Sequence, residues 1–175
     1  MTRIFLIGFM ACGKTTLGKS LAKSLGLSFI DLDMYIEGRY YKSVSDIFAE
    51  QGEDKFREIE RKILHEVSEF EDVVISTGGG TPCFFDNMEY MNTMGETIYL
   101  NTSTERIASR IKAAGDKRPL VRGKKDDELT NYIEEMKNKR ESFYKKAKYT
   151  LDSTFLENYS QIKDTVGKAI EILSL

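Results

Sequence analysis

The chain has 175 residues, 41% of them hydrophobic, which suits one globular domain with a substantial core and excludes wholesale disorder. Lys and Arg total 26 against 28 Asp and Glu, a formal net charge of −2. Nothing global therefore draws the chain to nucleic acid or an anionic membrane, and any anion site must be local. Two cysteines, Cys12 and Cys83, make no disulfide framework and suit a reducing cytoplasm. No apolar run approaches membrane-spanning length. The stretch Ile4–Met10 runs straight into Gly13-Lys14 with no small-residue cleavage site, so it reads as a buried strand and not as a leader.

Taken in order, short apolar runs alternate with helical periods. Residues 3–7 form a continuous apolar strand, as expected when both of its faces are covered. Leu17, Leu21, Ala22 and Leu25 make a helical stripe after Lys14, and Ser28–Asp31 reads as a second strand. Phe56, Ile59, Ile63, Leu64 and Val67 mark a long helix, Val73–Ile75 a third strand and Thr97–Leu100 a fourth. Ile107, Ala108 and Ile111 give a short helix that Thr102 or Ser103 would cap. Leu129, Tyr132, Ile133, Met136, Phe143, Tyr144 and Ala147 predict another long helix, Tyr149–Leu151 a fifth strand, and Ile162, Val166, Ala169, Ile170 and Leu173 a closing helix. Such alternation predicts an α/β fold, a parallel sheet sandwiched by helices, with ligands at the carboxyl ends of the strands.

The strongest motif is Gly8-Phe9-Met10-Ala11-Cys12-Gly13-Lys14-Thr15, which fits G-x-x-x-x-G-K-[ST] between an apolar strand and an amphipathic helix. Glycines let the loop curl its N–H groups around a phosphate, and the helix N-terminus adds free donors and partial positive charge. Lys14 would reach the β- and γ-phosphates, and the Thr15 hydroxyl would ligate Mg²⁺. Cys12 contributes its backbone amide. No Asn-Lys-x-Asp guanine signature is present, which weighs against a GTPase switch.

Asp31 and Asp33 follow the second strand. Period-2 spacing would turn both carboxylates to one side, one for a metal-bound water and one for a hydroxyl proton, whereas a plain helix cap would account for only one of them. Ser76-Thr77-Gly78-Gly79-Gly80 follows the third strand, where three glycines let a small ligand approach the backbone and a hydroxyl of Ser76 or Thr77 could support the metal's water shell. Arg140 falls on the apolar stripe of its helix and needs a partner, either a substrate anion or a buried carboxylate. Arg57 borders the stripe of its own helix with Glu60 one turn on; two such arginines suit a carboxylate, or serve as ordinary ion pairs. The basic segment from Lys112 to Lys125, broken by Gly115, Pro119 and Gly123, reads as a lid that could supply a transition-state arginine. His65, the only histidine, stands apart from every motif and reads as an edge residue.

Together these residues resemble the shikimate kinase family of the nucleoside monophosphate kinase-like group. The likeness runs nearly full length, on Phe29–Asp33, Phe56–Glu60, Ser76–Gly80, Arg118-Pro119-Leu120 and Lys139-Arg140 as well as the phosphate loop. It implies a five-stranded parallel sheet in the order 2-3-1-4-5 within a single domain over 1–175, a substrate-binding region near 32–62 and a lid near 112–125. It implies transfer of the ATP γ-phosphoryl group to the 3-hydroxyl of shikimate with Mg²⁺, by a monomer. Ala11, Cys12, Gly13, Lys14, Thr15 and Thr16 would hold the nucleotide phosphates. Thr15 would bind the metal directly and Asp31 through water. Asp33 would bind ring hydroxyls as base or orienter; Arg57 and Arg140 would clamp the carboxylate, with backbone contacts from Gly79 and Gly80. Arg118 would approach the phosphates, and Arg110 with the loop after Asp152 would flank the adenine. The chain departs from the family at Ala11, usually Gly, and Cys12, usually Ala, and Asp152–Phe155 lacks the basic and proline residues often found there. A gluconate kinase-like enzyme and a nucleotide-binding regulatory module without turnover are the rival readings.

Overall fold

Five short apolar runs become five parallel strands because each is covered on both faces. The computed structural model describes residues 1–115 and 123–175. The strands are β1 (Arg3–Ile7), β2 (Ser28–Asp31), β3 (Val73–Ser76), β4 (Glu96–Asn101) and β5 (Tyr149–Asp152), hydrogen-bonded in the order β2-β3-β1-β4-β5. The helices are α1 (Lys14–Leu25), α2 (Leu32–Tyr40), α3 (Val44–Ser68), α4 (Asn87–Met94), α5 (Thr104–Ala113), α6 (Asp126–Tyr144) and α7 (Tyr159–Leu173).

β1 lies at the centre, and Ile4, Phe5, Leu6 and Ile7 are fully buried. At roughly 2 kcal/mol per buried side chain, this strand alone is a strong organiser of the fold. Its alternation splits the core in two. Phe5 and Ile7 join the apolar stripes of α3, α5 and α6 on one face, together with Met88 and Met91 of α4. Ile4 and Leu6 pack on the other face against Leu17, Leu21 and Ala22 of α1 and Val166, Ala169 and Leu173 of α7. The expected strand order and two-sided helix cover are both present. Among the described residues, no helix is long and apolar enough to cross a membrane.

The differences from the sequence expectations lie in the helices. α2 and α4 were not anticipated, because each buries too few apolar side chains to show a period: Leu32 and Ile36 in α2, Met88 and Met91 beside Asn87 in α4. α3 starts at Val44, well before Phe56, with Ser43 accepting from the Asp46 N–H as its cap. Gly52 (φ 80°, ψ 170°) breaks its helical backbone, so the early part is a separate short rod. Ser103, and not Thr102, caps α5 by accepting from the Arg106 N–H. α6 ends at Tyr144, which leaves Ala147 beyond the helix but still against the core.

Candidate active site

The carboxyl ends of β1, β2 and β3 open on a cavity of about 670 Å³. Ala11, Gly13, Lys14, Thr15, Thr16, Asp31, Asp33, Gly79 and Arg110 all line it. The loop between β1 and α1 forms its floor. Gly8, Ala11 and Gly13 take φ values of 150°, 58° and 101°, which wind the chain into a nest before α1. No side chain caps α1, so its first amides remain available to an anion. The Lys14 ammonium is folded onto two carbonyls of its own loop, Gly8 O at 2.7 Å and Phe9 O at 2.9 Å. Cys12 is buried and does not line the cavity; its carbonyl accepts from the Ser153 hydroxyl at 2.8 Å and the Thr102 hydroxyl at 3.2 Å, which anchors the loop from below.

Asp31 does two jobs with two oxygens. One accepts from the Met34 N–H at 3.3 Å and caps α2; the other accepts from the Thr15 hydroxyl at 3.0 Å. The helix-cap reading and the cavity-facing reading therefore hold on the same residue. The pair does not share one strand face, as period-2 spacing predicts: β2 stops at Asp31, and Asp33 sits in the first turn of α2. The two carboxylates share the cavity because a strand-to-helix turn places both at the end of the sheet. Burial pushes the Asp33 carboxyl up to about 6, helped by the carboxylates of Glu60 and Asp31 and opposed by Lys14.

The glycine run meets three of the expected side chains in succession. A Cβ on Gly78 would lie 3.2 Å from Asp33 Oδ1, one on Gly79 3.5 Å from Arg140 Nη1, and one on Gly80 2.6 Å from Arg57 Nη2. At Gly80 the space a side chain would need is filled by the Arg57 guanidinium. Of the two hydroxyls next to the run, Thr77 is committed to the Leu6 carbonyl at 3.0 Å, and Ser76 lines the cavity.

Arg57 and Arg140 differ in how they are held. Arg57 is 8% exposed and pairs with Glu60 at 2.8 Å and Glu53 at 3.3 Å. Phe84 lies under its guanidinium at 4.1 Å from the ring centroid. Glu60, 1% exposed, uses its second oxygen to accept from the Thr81 hydroxyl at 2.7 Å. Arg140 lies over the Phe9 ring, 5.7 Å from its centroid, and no carboxylate among the described residues comes within 4.0 Å of it. The sequence required a partner for each charge; the protein supplies carboxylates for Arg57, while Arg140 meets the Tyr144 hydroxyl. Arg57 and Arg140 stand beside the glycine run, and neither they nor Gly80 line the cavity itself.

Arg110 stitches the phosphate loop to the segment after β5. It donates to Ala11 O at 3.3 Å, Ser153 O at 3.0 Å and Thr154 O at 2.9 Å, and pairs with Glu157 at 3.0 Å. Sequence reasoning missed Glu157, Thr81 and Tyr144, whose partners are distant in the chain. Arg118 and the rest of 116–122, half of the expected lid, lie outside the described residues; Lys112, at its start, still belongs to α5 and pairs with Asp126 at 2.9 Å. His65 is away from the cavity, stacked on Tyr90 with ring centroids 3.8 Å apart.

An anion cradle at one end and two guanidinium groups at the other, with a carboxyl raised to about 6 beside the glycine run that joins them, can hold a phosphorylated donor and a carboxylated acceptor together. The family model for shikimate kinase matches residues 10–171. A shikimate kinase of Parabacteroides distasonis is 56% identical over 173 residues, covering 99% of this chain and all of that one. The crystal structure of the Bacteroides thetaiotaomicron shikimate kinase superposes with a TM-score of 0.97 at 50% identity over 99% of both chains. A shikimate kinase from Acinetobacter baumannii, solved in complex with shikimate, gives 0.83 at 30% identity over 99% of this chain and 93% of that one. Motif, topology, full-length identity and superposition agree: the chain belongs to the shikimate kinase family.

Proposed function

We propose that the chain transfers the γ-phosphoryl group of ATP to the 3-hydroxyl of shikimate, giving shikimate 3-phosphate and ADP. The observation that carries this reading is the glycine run at the end of β3, which touches Asp33, Arg140 and Arg57 in turn while its Gly79 borders the phosphate loop. Donor and acceptor sites are thereby fixed side by side, the main requirement of phosphoryl transfer.

The loop amides from Ala11 to Thr16 and the Lys14 ammonium bind the donor phosphates. To reach them, Lys14 exchanges the Gly8 and Phe9 carbonyls for phosphate oxygens. The Thr15 hydroxyl and the Asp31 carboxylate, already 3.0 Å apart, are hard oxygen donors of the kind Mg²⁺ takes in small number beside phosphates and water. Thr15 would hold the ion directly and Asp31 through water, and Mg²⁺ held there would supply positive charge to the donor phosphates. Arg57 and Arg140 bind the acceptor carboxylate, with backbone contacts from Gly79 and Gly80. Asp33 accepts a hydrogen bond from the reacting hydroxyl, and a carboxyl held near 6 is well matched to take its proton. Arg110 and the loop after β5 flank the adenine. Arg118 is assigned to the phosphates, and the segment near 112–125 to a lid, on the family motif. The phosphate loop, Asp33 and both arginines lie within one chain, which supports a monomer with a single domain and an acceptor region over 32–62. The free thiols Cys12 and Cys83 support a cytoplasmic setting.

The test is ADP release from Mg·ATP in a coupled assay, with and without shikimate. Strong dependence on shikimate is expected, and Lys14→Ala and Asp33→Asn should each abolish turnover while retaining cooperative melting. Slow release indifferent to shikimate would discard the acceptor, and full activity in either variant would discard that residue's role.

A further inference from the structure

The segment Gly78–Thr81 is a β-turn: the Thr81 N–H donates to the Gly78 carbonyl at 3.2 Å. Gly80 has φ −90° and ψ −15°, the third-position geometry of a type I turn. Type I and type II turns differ by a half-rotation of the central peptide, here the bond between Gly79 and Gly80. Type II needs a positive φ at the third position, which most residues refuse and glycine accepts. A Gly-Gly turn therefore has two accessible peptide orientations and no steric reason to choose one.

The choice matters because one trans peptide carries the Gly79 carbonyl and the Gly80 N–H in opposite directions. Rotating that peptide reverses both. Gly80 is buried beside the Arg57 guanidinium, and among the described residues no group accepts from its N–H. An unpaired buried donor is costly unless a ligand completes it. The other side of the same peptide is held: the Tyr144 hydroxyl donates to Gly79 O at 2.6 Å. Tyr144 is fully buried and packs on Tyr99 with ring centroids 5.3 Å apart, so its hydroxyl has little freedom to move. Burial pushes that hydroxyl far above its usual titration range, against the pull of nearby Arg140, so it remains a donor. Tyr144 is also one helical turn from Arg140 on α6 and its hydroxyl meets that guanidinium, so the helix that presents Arg140 also fixes the peptide next to it.

We propose that Tyr144 is a positioning residue that locks the Gly79–Gly80 peptide in one orientation, and so aims the Gly80 N–H at an oxygen of the carboxylated acceptor. The proposal rests on the acceptor site described above. It adds a residue that touches neither substrate and acts through the backbone; because its hydroxyl also meets the Arg140 guanidinium, the Gly80 amide signal, and not KM alone, separates the backbone route from loss of that contact.

Tyr144→Phe removes the hydroxyl and keeps the ring. The expected result is a rise of about tenfold in KM for shikimate, the usual worth of one well-placed hydrogen bond, with KM for ATP unchanged. Tyr99→Phe is the control, since it removes a hydroxyl from the adjacent packed ring that, among the described residues, bonds Asn101 alone; it should leave both constants as they are. The chain has 13 glycines, so an ¹⁵N-glycine spectrum resolves the run. In ligand-free Tyr144→Phe, the Gly80 amide signal should broaden or split as the peptide samples both orientations. In the unmodified protein that amide proton should move downfield when shikimate is added. Unchanged KM with a sharp, unshifted Gly80 signal in Tyr144→Phe overturns the proposal. So does a loss of both substrates in proportion to lost thermal stability. If the variant fails to fold, a Gly80 amide indifferent to shikimate in the unmodified protein overturns it as well. Failure of shikimate turnover in the unmodified enzyme would instead remove the functional reading, and the ligand-free signature of the lock would still be decided separately.

Discussion

The two ends of the cleft are built on different principles. The phosphate end is local: Gly8 to Thr16 are contiguous, and the Lys14 ammonium rests on carbonyls five and six residues away. The acceptor end is assembled from distant pieces. The Thr81 hydroxyl meets Glu60 across 21 positions, and the Tyr144 hydroxyl meets Gly79 across 65. Its charges are also paired differently. Lys14 uses neutral carbonyls that a phosphate can displace, whereas Arg57 is tied to Glu60, a carboxylate that is almost wholly buried. The phosphate end can exchange partners when its ligand arrives; the acceptor end is set before its ligand arrives.

That contrast predicts different costs for losing a cation. Lys14→Ala orphans no charge and should cost turnover with little stability. Arg57→Ala leaves the Glu60 carboxylate buried and unpaired, which should lower stability by about 3 kcal/mol. Removing a desolvated guanidinium from the acceptor carboxylate should also raise KM for shikimate by about two orders of magnitude. Adding Glu60→Leu to Arg57→Met should restore much of the stability and none of the affinity. Denaturant melts of the three proteins beside their kinetics measure this. Equal stability loss in Lys14→Ala and Arg57→Ala would erase the distinction between the two ends.

The same contrast explains what the sequence revealed. A contiguous motif can be read from its spacing, and the phosphate loop was legible residue by residue, as was the strand order through family likeness. Arg57 and Arg140 were visible because a charge on or beside an apolar stripe demands an explanation. Spacing alone left their partners open, since a buried carboxylate and a ligand answer the same demand. Asp33 was found by an argument about strand alternation that the structure does not support; the turn after β2 brings it to the cleft instead. α2 and the early part of α3 escaped because each buries few apolar side chains, Leu32 and Ile36 in α2 and Ile47 before Gly52 in α3. Tyr144 looked like core, and it is core; only its hydroxyl, reaching a glycine carbonyl far away in sequence, has another task.

A second prediction probes the charge crowding at the acceptor end. Asp33 is raised from 3.8 to about 6 by burial and the nearby Glu60 and Asp31 carboxylates. The folded protein thus holds this proton more tightly than the unfolded chain does. That preference favours folding below about pH 4, and the advantage is lost as pH rises through 6. Above that, the ionised group costs the fold about 2–3 kcal/mol. Asp33→Asn, in chelator and without nucleotide, should therefore be more stable than the unmodified protein at pH 7.5. The gap should close as pH falls to 4, while turnover is lost throughout. A constant gap across that range would mean that neither burial nor the neighbouring carboxylates raise Asp33.

The smallest expected effect lies at the phosphate end and concerns Ala11, where the family usually has glycine. Its φ of 58° is left-handed, a region that costs an L-residue roughly 1 kcal/mol. Ala11→Gly relieves that strain but gives the unfolded chain more freedom, worth roughly 0.4–1 kcal/mol in the opposite sense. Where φ is positive the strain outweighs the entropy, so a net gain of about 0.5 kcal/mol is expected, a rise in Tm of about 1–2 °C. The reciprocal change is available in the same protein. Gly26 ends α1 at φ 68° with open space where a Cβ would go, so Gly26→Ala tests left-handed strain without a clash and should lower Tm. The Ala11 carbonyl stays pinned by Arg110 in either case, which should hold the change in ATP affinity under about threefold. Opposite shifts in Tm for the two substitutions would show that the loop carries its left-handed alanine as simple backbone strain. A fall in Tm for Ala11→Gly would instead show that the methyl group contributes packing that outweighs the strain, consistent with its place against the core beside Met10.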